Sequence, residues 1–220
     1  MPKHGKVSLS VIRRLPRYYR FLGDLSKAGF AKISSRELSQ RMGLTASQIR
    51  QDLNCFGGFG QQGYGYNIDQ LHAEVSSILG IGAARPAIIV GTGNIGHAIA
   101  ANIDFEHMGF HLAGLFDNDP RIIGTRVRNL IVQDITELEN FCARITPAIA
   151  VLTLPRSAAP SVCDRLIKLG VTGFWNFSHY DLGLLHPELT VENVHLGDSL
   201  MTLSYMIKQR DESASRPQDE

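Results

Sequence analysis

Gly91, Gly93 and Gly96 stand at the spacing GxGxxG, directly after the apolar run at residues 87–90. Between a strand and a helix, glycines so spaced let a pyrophosphate approach the backbone. The first permits a sharp turn, the second clears room for the ligand, and the third lets helix and strand pack closely. A helix starting at Asn94 turns its first amides and the positive end of its dipole toward the anion. Thr92, Asn94 and Ile95 therefore join the glycines as candidate binding residues. Twenty-one residues past Gly96, Asp117 ends a second apolar strand pattern at residues 111–116. A carboxylate there accepts both ribose hydroxyls of an adenosine and repels a 2′-phosphate, which favours NAD(H) over NADP(H). Asp119 either shares that role or caps the turn Asp119-Pro120-Arg121.

A second kind of chemistry lies upstream. Ser34 and Glu37 form SxxE, Thr45 and Gln48 form TxxQ, and Gly43 falls between them. Two capping boxes around a glycine predict a helix-turn-helix over residues 34–57. Its second helix runs to about Asn54 and presents Ser47, Gln48, Arg50 and Gln51, with Ile49 and Leu53 facing the core. Arginine grips guanine and glutamine pairs with adenine when such a helix enters a major groove. Asn54 and Arg14 belong to the same candidate surface. The segment FGGFGQQGYGYNI alternates glycine with aromatic residues and predicts a two-stranded wing. Gln61 and Gln62 form its tip, with Phe59, Gly63 and Tyr64 beside them. These tip residues carry no charge, so the wing adds little salt dependence.

Regular elements must hold both constellations. Ile12, Leu15, Tyr19 and Leu22 recur at helical spacing, and Pro16 suits the first turn of that helix better than its interior. Downstream of Asp117 the pattern predicts helix at 135–143, strand at 148–154, helix at 158–169 and strand at 173–177. Alternation of this kind builds a doubly wound parallel sheet with its ligand crevice at the carboxyl ends of the strands. The loops beginning at Leu154-Pro155 and Asn176-Phe177 leave those ends and flank the nicotinamide side. Residues 196–209 form a last apolar-faced helix, packed on its own domain or exchanged between subunits. The fold class is α/β, with a winged helix-turn-helix domain at 1–82 and a Rossmann domain at 83–195. A C-terminal helix at 196–210 and a disordered tail at 211–220 complete it.

Bulk properties narrow the function classes. Residues 1–82 hold 11 Lys/Arg against 5 Asp/Glu, and residues 83–220 hold 11 against 16. A net charge near +6 followed by one near −5 points to a polyanion for the first third alone. No apolar run approaches the ~18 to 20 residues needed to cross a bilayer, and no secretory signal is visible, so a cytoplasmic protein is expected. Cys55, Cys142 and Cys163 lack metal or disulfide spacing, and the histidines are scattered, so no metal site is expected. An NAD-dependent dehydrogenase would need an acid or base at the nicotinamide, for which His179 is the one candidate. Yet strands and helices consume nearly all of residues 85–195 and leave no substrate domain. A repressor sensing coenzyme A is a further alternative, disfavoured by the carboxylate at Asp117.

Taken together, the chain resembles the Rex family of redox-sensing transcriptional repressors over about residues 8–207. The motifs that carry the likeness are ISSRELSQRMGLTASQIRQDL, the FGxFGxxGxGY run, VGTGNIG, LFDNDP, LTLP, WNF, VENV and LSY. The resemblance implies a homodimer whose winged-helix domains bind an inverted-repeat operator in double-stranded DNA. It implies Rossmann domains that bind NAD(H), a swapped C-terminal helix, no catalysis, and release from DNA by NADH.

Several positions depart from the family pattern. Gln51 stands where a lysine follows the arginine of the recognition helix, and Gln61 and Gln62 replace a basic pair. Asn54-Cys55 replaces Ser-Tyr, and the common NFAP run is here Asn176 to His179, NFSH. The family's switch joins an arginine, matched by Arg20, to an acid that is here His195, near an aromatic that is here Asn102. A histidine opposite Arg20 would pair only when neutral, making the coupling sensitive to pH near 6 to 7. The plainer alternative is that Asp198, one turn along, takes the acid's place.

Overall fold

Two units, residues 1–83 and 84–220, carry separate cores in the computed structural model, which describes residues 7–57 and 65–214. In the first unit a short α1 (Leu9–Ile12) precedes α2 (Leu15–Lys27), and Pro16 sits in the first turn of α2, where a missing N–H costs nothing. Leu15, Tyr18, Leu22 and Leu25 line its buried side. Tyr18, rather than the expected Tyr19, is the fully buried tyrosine. Tyr19 is half-buried and stacks on His72 with ring centroids 4.4 Å apart. A two-residue β1 (Lys32–Ile33) leads into α3 (Ser35–Met42) and α4 (Ala46–Asn54). β2 (Tyr66–Asn67) pairs antiparallel with β1, and α5 (Ile68–Leu79) closes the unit.

The helix-turn-helix forms for local reasons. Ser34 Oγ accepts from the Glu37 amide at 3.1 Å, and Glu37 returns the favour by accepting from the Ser34 amide at 2.8 Å. Gly43 ends α3 at φ +61°, a backbone state that glycine adopts without strain. Thr45 Oγ1 caps α4 by accepting from the Gln48 amide at 3.1 Å. The expected second box is only half made, because the Gln48 side chain turns to Asp52 at 2.7 Å instead. The one described strand from the wing segment, β2, pairs with β1 ahead of the helices, and the tip lies outside the described residues.

Asp52 is the centre of the first unit. It is 0% exposed and accepts from Arg14 Nε and Nη2, both at 2.7 Å, from Gln48 Nε2, and from the Tyr18 hydroxyl at 3.0 Å. Burial alone pushes its carboxyl up, but the bonds from Arg14, Gln48 and Tyr18 outweigh that and hold it below the usual value. Burial, and after it the same carboxylate, push the Tyr18 phenol upward.

In the second unit β3 (Arg85–Val90) runs into α6 (Asn94–Asn102), and a 3-10 turn leads to β4 (Phe110–Asp117). A hairpin of β5 (Arg126–Val127) and β6 (Leu130–Asp134) follows, then a 3-10 turn into α7 (Leu138–Cys142). Then come β7 (Ile149–Leu152), α8 (Ala159–Lys168), β8 (Gly173–Asn176), α9 (Leu182–Leu185) and β9 (Thr190–Asn193). The sheet order is β5-β6-β4-β3-β7-β8-β9, with every pairing parallel except β5–β6. Without the antiparallel edge strand, this is the order 3-2-1-4-5-6 of a doubly wound dinucleotide fold. Cys142 and Cys163 are buried in its core, and burial pushes the Cys163 thiol up to about 12, so both are packing groups.

α10 (Leu196–Ala214) corrects the expected end of the last helix. It continues past Gln209 through residues 210–214, so the supposed tail is helical at its start. Nor does it bury its apolar side within its own chain, since Leu196, Leu200, Leu203 and Ile207 are between 44% and 67% exposed.

Replacing Asp52 by Ala leaves a buried phenol and a half-buried guanidinium without their acceptor, and is expected to destabilise the first unit by about 2 to 3 kcal/mol. A paired Arg14→Met, Asp52→Leu variant should recover much of that loss, since no charge is left unpaired. Because the folded carboxyl lies below its ordinary value, its contribution is whole above about pH 3.9 and fades as pH falls beneath it. Urea unfolding by circular dichroism, repeated between pH 2.5 and 7, checks both.

Candidate functional site

The crevice of the second unit opens where strand order reverses, between the carboxyl ends of β3 and β7. Gly91 turns the chain at φ +93°, its amide donating to the Phe116 carbonyl at 2.8 Å. The Thr153 hydroxyl donates to the Gly91 carbonyl, drawing the end of β7 onto the turn. A Cβ at Gly91 would lie 2.7 Å from the Thr153 carbonyl oxygen, and one at Gly96 would overlap the carbonyl of Gly91. Those two glycines are therefore required by the protein's own packing. Gly93 differs, because a Cβ there would meet nothing within 4 Å. Its φ of −67° suits any residue. A methyl group at Gly93 would therefore meet open space rather than protein. Gly93 also caps α6 without a side chain, so the amides of Asn94, Ile95 and Gly96 face the opening.

Thr92 is buried, and its amide donates to Asp117 Oδ2 at 2.5 Å. Asp117 Oδ1 accepts from the amides of Asn118 at 2.8 Å and Asp119 at 3.0 Å. The expected ribose acceptor is thus 8% exposed, with three of roughly four lone-pair positions committed to backbone. Its capacity shrinks from two hydroxyls to about one, and its first task is holding the turn beside β3. Asp119 does cap its turn: the carboxylate receives the amide and forked guanidinium of Arg121, which draws its pKa down to about 2. The carboxylates of Asp117 and Asp119 both lie at this edge of the crevice.

The loops beyond β7 and β8 complete the crevice. Leu154 and Phe177 are half-buried, Pro155 is exposed, and Phe177 packs edge-on against Trp175 with centroids 5.0 Å apart. Asn176 is corrected from a contact residue to a scaffold. It is 0% exposed, donates to the Tyr180 carbonyl and Asn193 Oδ1 at 2.8 Å, and accepts from the amide and hydroxyl of Ser178. That uses all four of its hydrogen-bonding positions.

In the first unit, Ser47, Arg50, Gln51 and Asn54 share one exposed face of α4, spaced by three and four residues. Arg50 reaches Ser35 Oγ at 3.2 Å. Gln48 is half-buried and tied to Asp52, and Arg14 has Nε and Nη2 committed to that carboxylate. Both therefore steady α4 before they touch anything else. Phe59, Gln61, Gln62, Gly63 and Tyr64 lie outside the described residues. Sequence reasoning missed Asp52 as the anchor. The available signal was a carboxylate beside Ile49 and Leu53 on the inward side of α4.

The residues expected to form a switch fall into two groups. Arg20 is exposed on α2. In the second unit Asn102 is exposed at the end of α6, donating to the Ala98 carbonyl. His195 and Asp198, posed as alternatives, are neighbours: His195 Nδ1 lies 3.6 Å from Asp198 Oδ2. His195 also packs against the ring of His179, with centroids 4.7 Å apart.

Residues 6–54 match the family model described as "Putative DNA-binding protein N-terminus", and residues 83–180 match "CoA binding domain". The redox-sensing transcriptional repressor Rex of Thermoanaerobacter pseudethanolicus is 50% identical over 211 residues, covering 96% of this chain and 94% of its own. That of Clostridium acetobutylicum is 47% identical over 214 residues, covering 97% and 99%. The crystal structure of RSP in complex with β-NAD+ and operator DNA matches with TM-score 0.87 and 48% identity over 96% of each chain. RSP in complex with β-NADH matches at 0.86 and 45% identity, over 96% of this chain and 98% of that one. With both units and the link between them covered at such identity, the chain belongs to the Rex family of redox-sensing transcriptional repressors.

Proposed function

We propose that this protein is a transcriptional repressor whose hold on an inverted-repeat operator is governed by NADH and NAD+. What carries the reading is the clearance at Gly93, in front of amides that no side chain caps, in a chain that also bears an exposed reading face on α4. RSP, a Rex-family repressor, has been captured with β-NAD+ and operator DNA and with β-NADH. The first-turn amides of α6 hold the pyrophosphate, and Asp117 and Asp119 face the adenosine ribose. Leu154, Pro155 and Phe177 border the nicotinamide, the part of the cofactor that changes on reduction. Those carboxylates favour a free ribose over the 3′-phosphate of coenzyme A, despite the name of the matched family model. No helix among the described residues is long and apolar enough to cross a membrane, in keeping with a regulator that works on cytoplasmic DNA.

A helix with its apolar side open needs a cover. A second copy of the chain supplies one, and the resulting homodimer presents two α4 helices to the two halves of the operator. Leu203→Glu should shift the protein from dimer to monomer in sedimentation and weaken operator binding in parallel.

Two measurements test the central reading. In fluorescence anisotropy, NADH is expected to weaken binding to a palindromic operator about 5 to 150-fold while NAD+ permits it. By linkage, operator must weaken NADH binding by the same factor, and an NADH affinity indifferent to operator would sink the proposal. Gly93→Ala is expected to keep the wild-type melting temperature yet lose NADH binding at least tenfold. Gly96→Ala is expected to lose stability first, because its methyl group has nowhere to go. Calorimetry with NADH, with coenzyme A as a second arm, separates these outcomes.

A further inference from the structure

The carboxyl ends of β8 and β9 are joined by contacts that neither pyrophosphate binding nor DNA reading requires. Asn176, the last residue of β8, donates to Asn193 Oδ1 at the end of β9, and the Val194 amide donates to the Asn176 carbonyl at 2.8 Å. The same asparagine holds Ser178 and Tyr180 on either side of His179. His179 is exposed and adopts φ +56°, a left-handed state that is uncommon outside glycine, though histidine enters it more readily than most residues. Its ring meets that of His195 at 4.7 Å, with planes inclined by 36°. His195 is the residue immediately before α10, and it lies 3.6 Å from Asp198 in the first turn of that helix.

We infer that His179 is a positioning residue that couples the turn beside the nicotinamide to the entry of the C-terminal helix, through its ring contact with His195. This rests on the reading given under Proposed function. The turn lies at the carboxyl end of β8, on the side of the crevice away from the adenosine edge at β4. The apolar side chains along α10 are exposed within the chain, so the helix is held to its own unit near its root, while a second copy covers the rest. The helix has 19 residues and is about 28 Å long at 1.5 Å per residue. A tilt of about 5° at the root therefore moves the far end by about 2.5 Å. A shift of the turn too small to notice locally becomes a substantial one where α10 meets a second copy.

The test measures NADH affinity of the full-length protein with and without operator duplex, taking the ratio as the coupling. Asn tolerates the left-handed backbone but lacks the ring, so His179→Asn is expected to cut the wild-type ratio at least fivefold. His195→Ala should do the same, whereas His195→Phe keeps a ring in contact and should retain most of the coupling. Hydrogen exchange at residues 194–200 supplies a readout that simple loss of stability does not imitate. In wild type NADH changes protection there, and in His179→Asn it does not. Unchanged coupling and exchange response in His179→Asn overturn the relay alone. A wild-type protein that binds no NADH overturns the functional reading and the relay with it.

Discussion

How closely α6 lies against β3 decides everything at the nucleotide end of the second unit. Gly96 meets the Gly91 carbonyl with no room for a methyl group, and the Thr153 hydroxyl donates to that same oxygen. One carbonyl thus joins the end of β3, the first turn of α6 and the residue after β7. The sheet order puts β7 beside β3 at the point where the winding reverses, so this contact defines both the phosphate turn and the crevice. Asp117 secures the other flank through the Thr92 amide. The donors facing the crevice are fixed before any ligand arrives, which spares binding the cost of ordering them.

The first unit solves the same problem with a buried charge. Asp52 is held by four donors from three side chains, two of them from one planar guanidinium. A buried ion pair of this kind adds little net stability over an apolar substitute. What it does impose is direction, because a two-pronged guanidinium–carboxylate contact admits one arrangement. α4 therefore cannot roll freely on α2, and its outer face keeps a defined orientation. A backbone contact places the amides at the crevice, and a side-chain network places the exposed face of α4.

Features set by neighbours in sequence were the legible ones. The Ser34–Glu37 box, the left-handed Gly43 and the GxGxxG turn each follow from residues within a few positions of one another. The partnership of Arg14 with Asp52 spans 38 positions and leaves no periodic trace. β6 leaves little trace in the sequence because it sits near the sheet edge, with Val132 its one fully buried residue, and no helix precedes it as the alternation would suggest. α10 was cut short at Gln209 because composition there turns polar. Arg, Glu and Ala are nonetheless good helix formers, and an exposed helix does not need apolar residues to continue. Asn176 and Asp117 have little hydrogen-bonding capacity left for a ligand, and sequence does not reveal how many of their positions neighbouring groups already take.

The charge on the reading face bears on how a small ligand could control it. Among Ser47, Arg50, Gln51 and Asn54 there is a single cation, and Arg14 is committed inward to Asp52. The remaining positive charge of residues 1–82 still supplies a general attraction to DNA, but that attraction decays over about 10 Å at 0.1 M salt. Hydrogen bonds to base edges tolerate far less, since they need donor and acceptor within about 2.7 to 3.2 Å. Displacing a recognition helix by an ångström or two barely alters the first term and abolishes the second. In the function proposed above, a face weighted toward neutral hydrogen bonding is thus the kind that a modest displacement releases from base edges, while leaving it loosely attracted to DNA at large.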